Sequence, residues 1–193
     1  MNLPAQCRVS IPGTGMEEPN AFEFALGSGM RFGILGATFA QVAILLEQLP
    51  SAPATAYVQS KGGLISNLRI GENVILAATY HSGLLPERFE TKIVSILSEL
   101  GYNMAAARAL IAKLPADLSL FERRLVSFMR AAILEPAVIV YDSLWADLSA
   151  REFEQVVGFD TIFRRHCQTS VSIYLHSGTS FPFDATFNQT FVL

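Results

Sequence analysis

Charge is scarce in this 193-residue chain: Asp, Glu, Lys and Arg make up 16% of it, for a net charge of −3. Its only basic clusters are the pairs Arg123-Arg124 and Arg164-Arg165, so the basic footprint of a nucleic-acid-binding protein is missing. The two cysteines, Cys7 and Cys167, are far apart and lack metal-ligand spacing, which supports neither a disulfide framework nor a zinc site. No apolar run reaches the roughly 18–20 residues needed to cross a bilayer. The best candidate, residues 33–46, is too short and contains Thr38 and Gln41. Residues 1–8 (MNLPAQCR) show no basic segment followed by an apolar one, so no secretory signal is expected and the cytoplasm is the expected compartment.

What is present is apolar. Hydrophobic residues make up 51% of the chain, Phe alone occurs 14 times, and the mean hydropathy is +0.36. One domain with a substantial core is expected at this length. The surplus of apolar surface suggests a partner protein, including a membrane-embedded one.

Residues 1–20, with Pro4, Pro12, Gly13, Gly15 and Pro19, are expected to be an irregular lead-in. Residues 21–26 alternate as a strand does, a Gly-Ser-Gly turn follows at 27–29, and residues 30–35 make a second strand. A helix then runs to about Leu49, stopped by Pro50, with a short strand at 55–59. Helices are expected from 68 to about 82, ending before Gly83, and again after Pro86. In the latter, Phe89, Ile93, Ile96, Leu97 and Leu100 share one face of a 3.6-residue period. A further helix is expected over 103–113. Ser119 caps another whose apolar face is Phe121, Leu125, Phe128, Met129 and Ala132, ending at Pro136. The β-branched run 137–141 fits a strand buried on both faces and ends in Asp142. One helix over 150–165, a strand over 170–175 and a last strand over 190–193 complete the chain. Alternating strands and helices of this kind indicate α/β layering with a mostly parallel sheet. No internal repeat, low-complexity segment or domain boundary is evident.

Residues 31–41 (RFGILGATFAQ) have the outline of a phosphate-binding loop without its chemistry. The working pattern is G-x-x-x-x-G-K-[ST] between a buried strand and a helix. Gly33 takes the first glycine position and Gly36 falls within the loop. Thr38 replaces the second glycine, Phe39 the lysine, and Ala40 the magnesium-binding hydroxyl.

Three later segments are more specific: residues 57–74 (YVQSKGGLISNLRIGENV), residues 114–142 (LPADLSLFERRLVSFMRAAILEPAVIVYD) and residues 172–176 (SIYLH). Together they resemble the ATP-binding subunits of ABC transporters over about residues 22–193. Within that family they look most like the lipid-transporting Mla/Mce type, where a Gly-Gly-Leu stretch precedes the Glu-Asn-Val segment. The resemblance implies a P-loop-NTPase-like α/β fold with a mostly parallel sheet flanked by helices. It also implies an ABC-type helical subdomain at about 84–135 and a reduced N-terminal antiparallel β part.

Position by position, the resemblance places Asp142 as the metal-orienting carboxylate. Ser143 stands where active members carry a glutamate, and a serine is no general base at neutral pH. His176, 34 residues after Asp142, matches the switch histidine. The signature motif reads Leu118-Ser-Leu-Phe-Glu122, so Ser119 survives, while Leu120 and Phe121 stand where glycines permit close approach. The Q-loop glutamine position is Ser60, with Gln59 one residue early, and the D-loop aspartate position is Ser149. The apolar replacements Phe39, Ala40, Leu120 and Phe121 suggest a pocket filled by core side chains.

Three readings follow. In the first, the chain is a pseudo-ATPase that needs neither nucleotide nor metal. It would lie at the inner face of the cytoplasmic membrane and act through contacts with a membrane permease, an active ATPase subunit or a second copy. Leu64, Ile65, Leu68 and Ile70 are then the contact candidates, although helix packing alone would explain at least half of the apolar residues in 60–80. In the second, ATP and Mg are still bound, with Asp142 as metal ligand and Lys61 or the Arg123-Arg124 pair as the missing cation, or through a hybrid site with an active partner. In the third, the vacated pocket takes a small molecule or lipid.

Overall fold

The computed structural model of the protein describes residues 7–13, 21–82 and 87–193. These form two compact units. One combines the described residues up to Tyr57 with Pro136–Ser143 and Cys167–Leu193, and the other combines Val58–Glu135 with Leu144–His166. Residues 1–6 and 14–20 of the expected lead-in, and the expected breaks at Gly83 and Pro86, lie outside the described residues.

The sheet unit begins with an antiparallel pair, β1 (Arg8–Pro12) and β2 (Ala21–Ala25), with Arg8 opposite Ala25. Strand β1 corrects the expectation of an irregular lead-in. Its Val9 and Ile11 alternate into the core, and that burial outweighs the flanking proline and glycine. The main sheet has five strands in the order β4-β5-β6-β3-β7: β3 (Arg31–Leu35), β4 (Thr55–Gln59), β5 (Val138–Asp142), β6 (Val171–His176) and β7 (Gln189–Val192). Strands β5 and β6, β6 and β3, and β3 and β7 pair in parallel. The run Val138–Tyr141 is buried throughout, as its unbroken β-branched sequence requires. Phe32, Ile34, Val138, Val140, Ile173 and Leu175 point into one core with Phe24 of the hairpin and Leu45.

Leu45 belongs to α1 (Phe39–Gln48). Thr38 caps this helix: its hydroxyl accepts from the Gln41 backbone N–H, while the Gln41 side chain accepts from the Thr38 N–H at 2.9 Å. The box fixes the helix phase, so Gln41 and Leu45, four residues apart, form the buried stripe. Phe39 precedes Gln41 by two residues, roughly 200° around the helix. It is 91% exposed. The expectation that Phe39 is a core residue filling a vacated pocket is therefore wrong, and Ala40 beside it is exposed as well.

The opposite face of the sheet carries Tyr141 and Tyr174, whose rings lie 5.0 Å apart. The chain between β6 and β7 brings Phe187 and Phe181 to 5.3 and 6.5 Å from the Tyr174 ring.

The helical unit comprises α2 (Ile70–Ser82), α3 (Glu87–Glu99), α4 (Met104–Ala112), a 3-10 turn (Pro115–Asp117), α5 (Leu120–Ile133), α6 (Ala150–Val157) and α7 (Phe159–His166). Helix α5 is central and touches α2, α3 and α6. The apolar faces expected of α3 and α5 are the buried ones. The single helix expected over 150–165 is two, because Gly158 caps α6 through bonds to the Glu154 and Val156 carbonyls. Glycine is a poor helix interior residue, and the break lets Phe159 stack on Phe128 at 4.4 Å.

The phase of α1 gives a direct test. Leu45→Ala should lower the urea unfolding free energy by about 2–5 kcal/mol, whereas Phe39→Ala should change it by less than about 0.5 kcal/mol. Equal losses would contradict the exposure of Phe39.

Candidate functional site

The parallel sheet brings the carboxyl ends of β3, β6 and β5 side by side. In register, Leu35 stands beside His176, and Leu175 beside Asp142. Gly36, Thr38, Asp142, Ser143 and His176 therefore gather at one end of the sheet unit, the end where open α/β sheets hold ligands.

Gly33 does not join them. It is the middle residue of β3, paired with Tyr174 on one side and Thr190 on the other. This corrects its placement as the first loop glycine. Its lack of a side chain serves packing instead: a Cβ there would lie 2.8 Å from Cε2 of Phe181 and 3.2 Å from Phe187. Because β3 continues to Leu35 and α1 starts at Phe39, the connection is only Gly36, Ala37 and Thr38. A G-x-x-x-x-G-K loop needs six residues to wrap a phosphate before the lysine.

Two backbone N–H groups of this short turn, those of Gly36 and Thr38, are bonded within the protein. Gly36, at φ 74°, donates its N–H to the His176 carbonyl at 2.8 Å. The Thr38 N–H goes to the Gln41 side chain, whose Nε2 in turn donates to the Pro12 carbonyl at 2.7 Å. Gln41 thus takes up the Thr38 N–H at a helix start, a place where free N–H groups attract an anion.

Asp142 accepts a hydrogen bond from the Tyr57 hydroxyl. Burial, the hydrogen bond and the carboxylate's charge all raise the Tyr57 pKa, so the phenol stays protonated and remains a donor. Ser143 adopts φ 47° and gives its N–H to the Leu175 carbonyl at 3.0 Å. His176 packs beside Phe181, ring centres 5.9 Å apart, and desolvation lowers its pKa, favouring the neutral imidazole.

Ser60 and Ser119 lie in the helical unit. Ser119 caps α5, accepting from the Glu122 N–H at 3.1 Å, and its own N–H is taken by Glu122 at 2.8 Å. The other carboxylate oxygen of Glu122 pairs with Lys113 at 2.6 Å. A cavity of about 500 Å³ opens beside this cap, lined in part by Tyr102, Glu122, Arg151 and Glu152. Phe121 lines this cavity, is 5% exposed, and has its ring 6.5 Å from that of Phe159. Leu120 is 38% exposed. Among the contact candidates, Ile65 is exposed and Leu64 and Leu68 are half-buried. Ile70 is 0% exposed, which corrects its placement on a contact surface. It begins the buried stripe of α2 with Val74 and Ala78.

Of the proposed replacement cations, Arg124 is buried and bonds the Ser60 and Ala146 carbonyls at 3.3 and 2.6 Å. Lys61 is exposed. Among the described residues no group of three His, Cys, Asp or Glu side chains is placed to hold a metal ion. Sequence reasoning missed Gln41 and Tyr57. The box Thr38-x-x-Gln41 was readable as a capping signal, whereas Tyr57 and Asp142 are 85 positions apart and no local pattern links them.

The strand placement of Gly33 predicts that Gly33→Ala costs about 1–3 kcal/mol by overpacking. Urea unfolding of the pair should show that Phe181→Ala removes part of that cost. Strict additivity would mean that Gly33 is required for another reason.

No family model matches the sequence, and no curated protein does. Solved structures match well. They include cbiO1 from Clostridium perfringens, part of the ABC transporter complex cbiONQ, at 14% identity, TM-score 0.62, and 88% of this chain against 77% of that one. An ATP-binding subunit of an ABC transporter matches at 15% identity and TM-score 0.65, over 88% of this chain and 78% of that one. The dimeric ABC transporter cassette MJ0796 matches at 15% identity and TM-score 0.62, over 90% and 94%. At these identities the likeness defines architecture: the chain has the α/β, P-loop-NTPase-like fold of ABC-transporter ATP-binding subunits, with a five-stranded parallel sheet and a small antiparallel one.

Proposed function

We propose that this chain is a pseudo-ATPase, an ABC-type nucleotide-binding fold that works through protein contacts as an accessory subunit of a transporter. The observation that carries this reading is the three-residue connection between β3 and α1, with Gly33 inside the strand. A triphosphate needs a wrapped loop of backbone N–H groups, a lysine and a hydroxyl on magnesium. Here the Gly36 and Thr38 N–H groups bond to the His176 carbonyl and the Gln41 side chain, and Phe39 and Ala40 occupy the lysine and hydroxyl positions. The residues present do not fit ATP and Mg. Asp142 bonds to Tyr57, and the neighbouring Ser143 offers no base. Arg124, one proposed substitute for the lysine, is committed to two carbonyls.

The reading places the protein beside a membrane permease, an active ATPase subunit or a second copy, at the inner face of the cytoplasmic membrane. Among the described residues no helix is long and apolar enough to cross a membrane. The dimeric MJ0796 and the cbiONQ complex are assemblies of the kind proposed. The lipid-transport subtype rests on the Gly62-Gly63-Leu64 stretch preceding Glu72-Asn73-Val74. Exposed Ile65, with half-buried Leu64 and Leu68, supplies the contact surface.

Isothermal titration of the purified chain with MgATP should show no binding in the micromolar range. A micromolar Kd would overturn the pseudo-ATPase reading and favour a nucleotide site with compensating residues.

A further inference from the structure

Between the end of β4 at Gln59 and the start of α2 at Ile70 the chain contains two consecutive glycines and no regular structure, so a loose loop would be the ordinary expectation. The hydrogen bonds contradict it. At the amino-terminal side, α5 grips the backbone with three side chains spaced along one face. Ser127 Oγ accepts from the Gln59 N–H at 3.2 Å. Arg124 donates to the Ser60 carbonyl at 3.3 Å, and Arg130 to the Gly63 carbonyl at 2.5 Å. Gly62, at φ 86°, lets the loop approach α5 closely: a Cβ there would stand 3.0 Å from the Arg123 carbonyl oxygen.

At the other side a single buried amide does the same. Asn73 of α2 is 2% exposed. Its Oδ1 accepts from the Ile65 N–H at 2.8 Å, and its Nδ2 faces the Ile65 and Leu68 carbonyls at 3.0 and 2.9 Å. The Arg69 N–H goes to Glu72 at 2.6 Å, and the Ile70 N–H to the Lys113 carbonyl at 3.0 Å. Every anchor lies within the helical unit and comes from the chain itself.

From this we infer that residues 59–70 form a pre-set loop, held in one shape by Arg124, Ser127 and Arg130 of α5 and by Asn73 of α2, with or without nucleotide. Asn73 and Arg130 are positioning residues: they fix the backbone that displays Leu64, Ile65 and Leu68. The inference rests on the reading that this segment is the contact surface, and it adds the regulation of that surface, which is constitutive. A loop whose backbone is already bonded at Gln59, Ser60, Gly63, Ile65, Leu68 and Arg69 is held before a partner arrives, which lowers the ordering cost of meeting it.

Hydrogen exchange of the full chain, with and without millimolar MgATP, tests this. The Ile65 and Leu68 amides should be protected in the wild type and unaffected by MgATP. Asn73→Ala should speed their exchange by about tenfold or more while β5 stays protected. If Asn73→Ala does not fold, Arg130→Ala removes only the Gly63 clamp and should accelerate exchange at Gly62 and Ile65. A wild-type Ile65 amide exchanging at the unprotected rate would overturn the inference, as would a MgATP-dependent change of more than about twofold. MgATP binding with unchanged loop exchange would sink the pseudo-ATPase reading and leave the pre-set loop standing.

Discussion

Gly36 occupies a turn that only glycine fits. Its φ is 74°, and a Cβ would lie 2.9 Å from the carbonyl oxygen of Leu193. The Gly36 N–H closes on the His176 carbonyl, so the end of β3 is tied to the end of β6 within one residue of the strand. That tie decides much of what lies around it. It keeps β3 in its ladder through Leu35, leaves Gly33 in mid-strand, and lets α1 begin three residues later. The helix start is then capped by its own Thr38 and Gln41. A phosphate cradle would need these same N–H groups to point outward.

The two units use polar side chains in the same way, to satisfy other polar groups from within. In the sheet unit Gln41 reaches both Thr38 and Pro12, and Tyr57 engages Asp142. In the helical unit α5 presents Arg124, Ser127 and Arg130 to one loop while its apolar face packs on α2 and α3. Burying Arg124 is tolerable because its guanidinium meets carbonyl oxygens. A buried cation already bonded in this way is poorly placed to be recruited to a triphosphate.

The sequence was most readable where local physics decides. The α3 stripe from Phe89 to Leu100, the β-branched run at β5 and the Ser119 cap all follow from periodicity or capping, and each stands where expected. It was least readable where tertiary contacts decide. Strand β1 forms because Val9 and Ile11 find a core, which proline and glycine counts do not reveal. Gly158 splits a strongly amphipathic segment because Phe159 has Phe128 to stack on. At the candidate site, matching positions to a motif identified which residue types were missing but not where the replacements point. Phe39 has the chemistry of a core residue, yet the phase set by Gln41 turns it to solvent. The fold was therefore legible, and the occupants of the site were not, since Tyr57 and Phe181 reach it from elements that no local pattern connects.

If the short turn, rather than the missing side chains alone, is what removed nucleotide binding, restoring those side chains is not enough. The most direct measurement is the MgATP affinity of the double variant Phe39→Lys with Ala40→Ser, which returns the lysine and the hydroxyl to their motif positions. A pseudo-ATPase built on a three-residue connection should still show no micromolar binding. Micromolar MgATP binding by this variant would contradict it, showing that the loop retains a phosphate-binding shape and that only two side chains had been lost.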